Sequence, residues 1–198
     1  MRSFAVIPAA GRGERLGGDK LLLPYGETTL FEHAVATWRA SRVDQIVVVA
    51  RADDRALLPL IRRLQVHAVL PLHAPVDMKA SVQLGLDYLV DEMAAQDGDV
   101  WLLAPADLPG ITAELIDHLL DEFSADHAQA LVPTVAGRRG HPVLLPWSWA
   151  GAVATLGEDE GINALLRRDG VREVPWPDAA ILRDIDTPED YRRISGDS

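Results

Sequence analysis

Cysteine is absent from the 198 residues. That excludes disulfide frameworks, thiolate zinc sites, iron–sulfur clusters and cysteine nucleophiles. Any metal must be held by carboxylates, imidazoles or the phosphates of a substrate. Long hydrophobic runs are missing too. Stretches such as Ile46 to Ala50 are far too short to span a bilayer, and no signal-peptide layout precedes the first apolar segment. Positive charge is scarce: 19 basic against 30 acidic side chains give a net charge of −11. That balance argues against a nucleic-acid-coating surface or an anionic membrane partner. Aromatics are few, and Trp147, Trp149 and Trp176 toward the C-terminus read as core or interface packing. His33, His67, His73, His118, His127 and His141 are scattered without the i, i+4 spacing of a helical metal site. No Ser-His-Asp order and no glycosidase-like pair of carboxylates can be argued. What remains is a globular composition, 48% hydrophobic and 25% charged, in a chain long enough to bury roughly 70% of its unfolded surface. The expectation is one soluble, cytoplasmic domain over residues 1–198 with no nucleic-acid or membrane partner.

Phe4 to Ile7 reads as a buried strand that ends at Pro8 and a glycine-rich loop over 9–19. Thr29 and Glu32 have capping-box spacing ahead of a helix to about Arg39. Gln45 to Ala50 is a second buried strand, followed by a helix with Leu57, Leu60, Ile61 and Leu64 on one face. A third strand lies near Val66 to Leu70, and Met78 to Met93 is a long amphipathic helix. Val100 to Ala104 is the fourth strand, with a helix from about Thr112 to Phe123. Strand and helix alternate as in a doubly wound parallel sheet. After Ala128 the pattern predicts short strands (Ala130 to Pro133, Pro142 to Leu145), two short helices, and a last helix capped by Thr187 with Pro188 in its first position.

Ligands of such sheets sit at the carboxyl ends of the strands. That puts the loop Ala9-Ala10-Gly11-Arg12-Gly13, with Arg15 and Lys20 beyond it, on the same rim as Asp107. Glycines let backbone N–H groups approach an anion, and three cations in an acidic chain suit phosphate oxygens. The loop is not a P-loop, because Leu21 follows Lys20, and its glycine spacing is a poor dinucleotide fingerprint. Asp107, between Pro105 and Pro109, is either a turn former or a Mg²⁺ ligand; Asp184 and Asp186 are similar candidates. Ser81, in the first turn of its helix, faces the choice between an anion or ribose hydroxyl and a plain polar position. Together the cationic loop and the strand-end aspartates are chemistry for a nucleoside triphosphate with Mg²⁺.

In order along the chain, the motifs are Ala9-Ala-Gly with Arg15, Gly17 and Lys20-Leu-Leu-Leu-Pro24, then Met78-x-x-Ser81-x-x-x-Gly85 and Pro105-Ala-Asp107-Leu-Pro109. Gly140-His141-Pro142, Asp159-x-Gly161 and Asp184-Ile-Asp-Thr-Pro-Glu-Asp-Tyr191 complete the set. As a set it resembles the MobA-like NTP-transferase family, with molybdenum cofactor cytidylyltransferases the most similar branch. The resemblance implies a Rossmann-like three-layer α/β/α nucleotidyltransferase fold with a mostly parallel sheet and a small mixed C-terminal extension. It implies transfer of a nucleoside monophosphate, CMP from CTP, to a phosphorylated small-molecule acceptor such as molybdopterin, with release of pyrophosphate. Nucleotide binding falls to Ala9, Ala10, Gly11, Arg12, Gly13, Arg15, Lys20 and Ser81, and catalysis to Arg15, Lys20 and Asp107. Mg²⁺ falls to Asp107 with Asp184 or Asp186, and the acceptor side to Lys79, Gly140, His141 and Asn163. A transient contact with a molybdoenzyme is also implied.

Asp77, Lys79 and Asn163 depart from the usual residues of the branch, and Ala106 replaces the glycine of the usual Gly-Asp-Met-Pro turn. Two other readings stay open. One is a cytidylyltransferase for a sugar or polyol phosphate such as 2-C-methyl-D-erythritol 4-phosphate. The other is a non-catalytic module that binds nucleotide or delivers cofactor.

Overall fold

The elements run β1 (Ser3–Pro8), β2 (Pro24–Tyr25), β3 (Thr28–Thr29), α1 (Leu30–Ala40), β4 (Gln45–Val49), α2 (Leu57–Leu64), β5 (His67–Val69) and α3 (Met78–Met93). They continue with β6 (Val100–Leu103), α4 (Ala113–Glu122), β7 (Ala130–Val135), β8 (Arg138–Arg139), β9 (Val143–Pro146), β10 (Val171–Pro175) and α5 (Pro188–Ser195). The computed structural model describes residues 1–11, 18–124 and 129–195.

β1 is buried at every position from Ser3 to Ile7, as a strand covered on both faces must be. It pairs in parallel with β4 on one side and β6 on the other, and β5 adds in parallel beyond β4. Alternate residues of these strands feed two separate cores. Ala5, Ile7, Val48 and Leu102 pack with Phe31 and Val35 of α1, Ile61 of α2 and Leu115 and Leu119 of α4. Phe4, Val6, Val47 and Trp101 face the other way, against Val82, Leu86 and Leu89 of α3. That is the three-layer α/β/α arrangement. Gly85 lets α3 lie close on the sheet, since a Cβ there would come within 2.8 Å of Val6 Cγ1.

The caps read from the sequence are present. Thr29 and Glu32 form a full capping box on α1. The Thr187 hydroxyl accepts from Asp190 N–H at the start of α5.

The residues after 128 extend the same sheet instead of forming an appendage. The order is β10-β7-β9-β6-β1-β4-β5, with β8 pairing off β7. Along that path only β9 pairs antiparallel with its neighbours, so the sheet is mostly parallel. Two departures from the sequence reading stand out. β10 takes the far edge beside β7, where no strand was expected, and the two expected helices become three 3-10 segments at Trp147–Thr155, Ile162–Arg167 and Ala179–Leu182. Within β10 only Val174 is buried, so the chain there lacks the apolar run that announces the inner strands.

Candidate active site

The chain runs from β1 to β4 on one side and returns to β6 on the other. The loops after β1 and β6 therefore flank a topological switch point, where open α/β sheets leave a crevice. A cleft of about 600 Å³ lies there. Its lining comes from four strand ends: Pro8 to Gly11 after β1, Arg51 and Asp54 after β4, Ala74 to Met78 ahead of α3, and Pro105 to Asp107 after β6. Asp19 to Leu22, Leu57, Ser81 and Asp186 complete it.

Lys20 opens a 3-10 turn, Lys20–Leu22, with Asp19 at φ 42 before it. Leu22 N–H donates to the Asp19 carbonyl at 2.8 Å. Leu21 and Leu22 pack on the core shared with α1, so the turn that carries Lys20 is anchored from below. The Lys20 ammonium donates to Asp107 Oδ2 at 2.7 Å and to Asp186 Oδ1 at 2.6 Å. Burial lowers the lysine pKa, but the adjoining Asp107 and Asp186 carboxylates outweigh it and hold the group above its ordinary value. Lys20 is therefore a fixed cation with two carboxylate partners.

Asp186 reaches that place by close packing. Ile185 is fully buried, and its N–H donates to the Asp107 carbonyl at 3.3 Å. The turn Ala179–Leu182 lies directly on two glycines. A Cβ on Gly110 would come within 2.1 Å of the Ala180 carbonyl oxygen, and one on Gly140 within 2.8 Å of Ile181 Cδ1. Only residues without a side chain admit the C-terminal strap across the end of β6. Gly140 thus acts through packing, and its N–H donates to the Pro133 carbonyl.

Ser81 is buried on the lining, and its hydroxyl donates to the Asp77 carbonyl at 3.1 Å. It presents oxygen lone pairs while that bond lasts. Asp77 is the N-cap of α3, its carboxylate accepting from Ala80 N–H at 2.7 Å.

Of the residues expected at the nucleotide, Ala9, Ala10, Gly11, Lys20 and Ser81 line the cleft together. Arg12, Gly13 and Arg15 lie outside the described residues. Of the metal candidates, Asp107 and Asp186 share Lys20, whereas Asp184 is exposed and off the lining. None of the four acceptor-side residues lines the cleft. Lys79 donates to the Gly157 carbonyl at 2.6 Å, and Asn163 sits exposed on the Ile162–Arg167 turn. His141 is set behind the rim with Nδ1 buried and unpartnered. Burial pushes its pKa down, opposed in part by a hydrogen bond to the Leu103 backbone and by the charges of Asp107 and Asp184.

Arg51 and Asp54 were not singled out from the sequence. The available signal was position alone: both follow a buried parallel strand, as Asp107 does.

The chain resembles known proteins over most of its length. The family model described as the MobA-like NTP transferase domain matches residues 5–174. Nicotine blue oxidoreductase of Paenarthrobacter nicotinovorans is 31% identical over 96% of this chain and 94% of that protein. 2-C-methyl-D-erythritol 4-phosphate cytidylyltransferase of Streptomyces coelicolor is 31% identical over 98% of this chain and 66% of that longer protein. Molybdenum cofactor guanylyltransferase of Cereibacter sphaeroides is 30% identical over 98% of this chain and 95% of its own. Among solved structures, Rv0371c of Mycobacterium tuberculosis superposes with a TM-score of 0.80 at 25% identity, covering 98% of both chains.

Proposed function

This chain belongs to the MobA-like NTP transferase family, and from that premise we propose that it transfers CMP from CTP to a phosphorylated acceptor, molybdopterin first among them. The observation that carries the reading is the Lys20 ammonium set between Asp107 and Asp186 in the cleft that Ala9, Ala10 and Gly11 also line. In the transfer, an acceptor phosphate oxygen forms a bond to the α-phosphorus. The bond from that phosphorus to the bridging oxygen breaks, and its electron pair leaves with pyrophosphate. The acceptor phosphate is ionised at neutral pH, so no general base is required.

What this chain supplies is position and charge. The backbone of Ala9 to Gly11 and Lys20, with Arg12, Gly13 and Arg15, hold the triphosphate. Lys20 and Arg15 stabilise charge on the leaving pyrophosphate, and Ser81 and the start of α3 lie beside the base and ribose. The carboxylates of Asp107 and Asp186 suit Mg²⁺. Both reach one ammonium nitrogen at 2.7 and 2.6 Å, so one small cation can satisfy both, and Mg²⁺ favours one or two carboxylates plus phosphates. When bound, Mg²⁺ neutralises phosphate charge. The Ala9-Ala10-Gly11 start favours CTP, and relatives named as guanylyltransferases make GTP the alternative.

The test is pyrophosphate release with Mg²⁺ and each of CTP, GTP, UTP and ATP, first with molybdopterin and then with 2-C-methyl-D-erythritol 4-phosphate. CTP-dependent release with molybdopterin supports the full reading. Release with GTP changes the base, and release with the polyol phosphate alone changes the acceptor. No release with any pair overturns the transfer reading in favour of a binding module or a redox activity like that of the oxidoreductase relative.

A further inference from the structure

Ala9 N–H still donates to the Val49 carbonyl at 2.8 Å. Beyond it the β1–β4 ladder ends, and the carbonyls of Ala10 and Gly11 need other partners. Arg51 supplies them. Its Nη1 donates to Ala10 O and to Gly11 O, both at 3.0 Å. On its other edge, Nη2 donates to Asp54 Oδ2 at 3.0 Å and Nε to Asp53 Oδ1 at 3.1 Å. Four of the five guanidinium donors are thereby committed. Asp54 is itself fixed, its Oδ1 accepting from Leu57 N–H at 2.9 Å at the first turn of α2. The side chain of Arg51 is 11% exposed and that of Asp54 12%. This is a strut between two strand-end loops, not a cation turned toward solvent.

Its consequence follows from peptide geometry. Across a planar trans peptide, C=O and N–H point opposite ways. With the Ala10 carbonyl drawn to Arg51, the Gly11 N–H is turned away from it. We propose that Arg51, braced by Asp53 and Asp54, is a positioning residue that presents the Gly11 amide to the triphosphate. This rests on the nucleotide reading above. A lysine cannot replace the fork, because one ammonium lacks the planar array that spans two carbonyls and two carboxylates at once.

The test uses the full chain with Arg51→Met, Arg51→Lys and Asp54→Ala. Hydrogen exchange of the peptide covering Ala9 to Gly11 is followed with and without nucleotide, and CTP and GTP affinity by calorimetry with Mg²⁺. Nucleotide is expected to slow exchange at Gly11 in the wild type, and Arg51→Met to lose that protection and to weaken nucleotide binding by up to about 10²-fold, with the acceptor KM unchanged. Arg51→Lys is expected to remain weak. Asp54→Ala is expected to weaken binding although it removes a negative charge from the cleft. Wild-type affinity in Arg51→Met, or recovery in Arg51→Lys, overturns the inference while leaving the nucleotide reading intact. Tighter binding by Asp54→Ala also overturns it, since a free cation relieved of its counter-ion would behave that way. A wild-type chain that binds no nucleotide overturns both.

Discussion

The two ends of the sheet hold similar ion pairs for different purposes. At the end where β1 begins, Asp99 accepts from the Arg2 N–H at 2.8 Å and from its guanidinium at 2.6 Å. Arg2 also donates to the carbonyls of Met93 and Ala94, and Asp44 accepts from both the N–H and the hydroxyl of Ser3. Backbone groups take part in every one of these knots, so they tie loops to strands. At the opposite end the Lys20 ammonium is held by two carboxylate side chains on the wall of an open cleft. Both of those bonds run between side chains. An ion pair woven into the main chain serves stability, and one made between side chains can be exchanged for bonds to a ligand.

Breaking the upper pair should therefore cost activity and little stability. Asp107→Ala is expected to lower turnover by on the order of 10²–10³, with a melting temperature close to wild type; steady-state pyrophosphate release and calorimetry check this. The two C-terminal aspartates should separate, since Asp186 shares Lys20 and Asp184 does not. Asp186→Asn should reduce turnover well beyond Asp184→Asn in the same assay. Breaking the lower pair should do the reverse. Arg2→Met takes the guanidinium from the buried Asp99 carboxylate and leaves it the backbone N–H groups of residue 2 and Gln96. It is expected to cost roughly 1–3 kcal/mol in urea unfolding, with kcat unchanged.

Acid sharpens the contrast least. Burial holds the folded pKa of His141 below its ordinary value, so the unfolded chain takes up the proton first. Stability then falls as pH drops below about 6.5 and levels off once pH is below the folded pKa. Urea midpoints from pH 7.5 to 5 should show that slope in wild type and a flatter one in His141→Gln.

The inner fold was legible because buried parallel strands announce themselves as continuous apolar runs. Ile46 to Val49 and Val100 to Leu103 are such runs, and Thr29 with Glu32 marks a helix start by side-chain chemistry alone. β10 was not legible, because an edge strand with a single buried residue has no such signature. The aspartate pairing was hidden for another reason. Asp184 and Asp186 have the same chemistry and spacing to their neighbours. The choice between them is made by Ile185 entering the core and by the room Gly110 and Gly140 leave for the strap. The Arg51 strut was equally silent, since its partners are the carbonyls of Ala10 and Gly11, and backbone acceptors carry no residue signature.

The most direct measurement is calorimetric titration of the wild-type chain and Lys20→Ala with CTP and GTP in the presence of Mg²⁺. The wild type should bind one of the two nucleotides, and Lys20→Ala should bind it at least about tenfold more weakly, a difference of about 1.4 kcal/mol, while retaining its fold. Equal affinity in the two proteins, or no binding by the wild type, would contradict the assignment of this cleft to a nucleoside triphosphate.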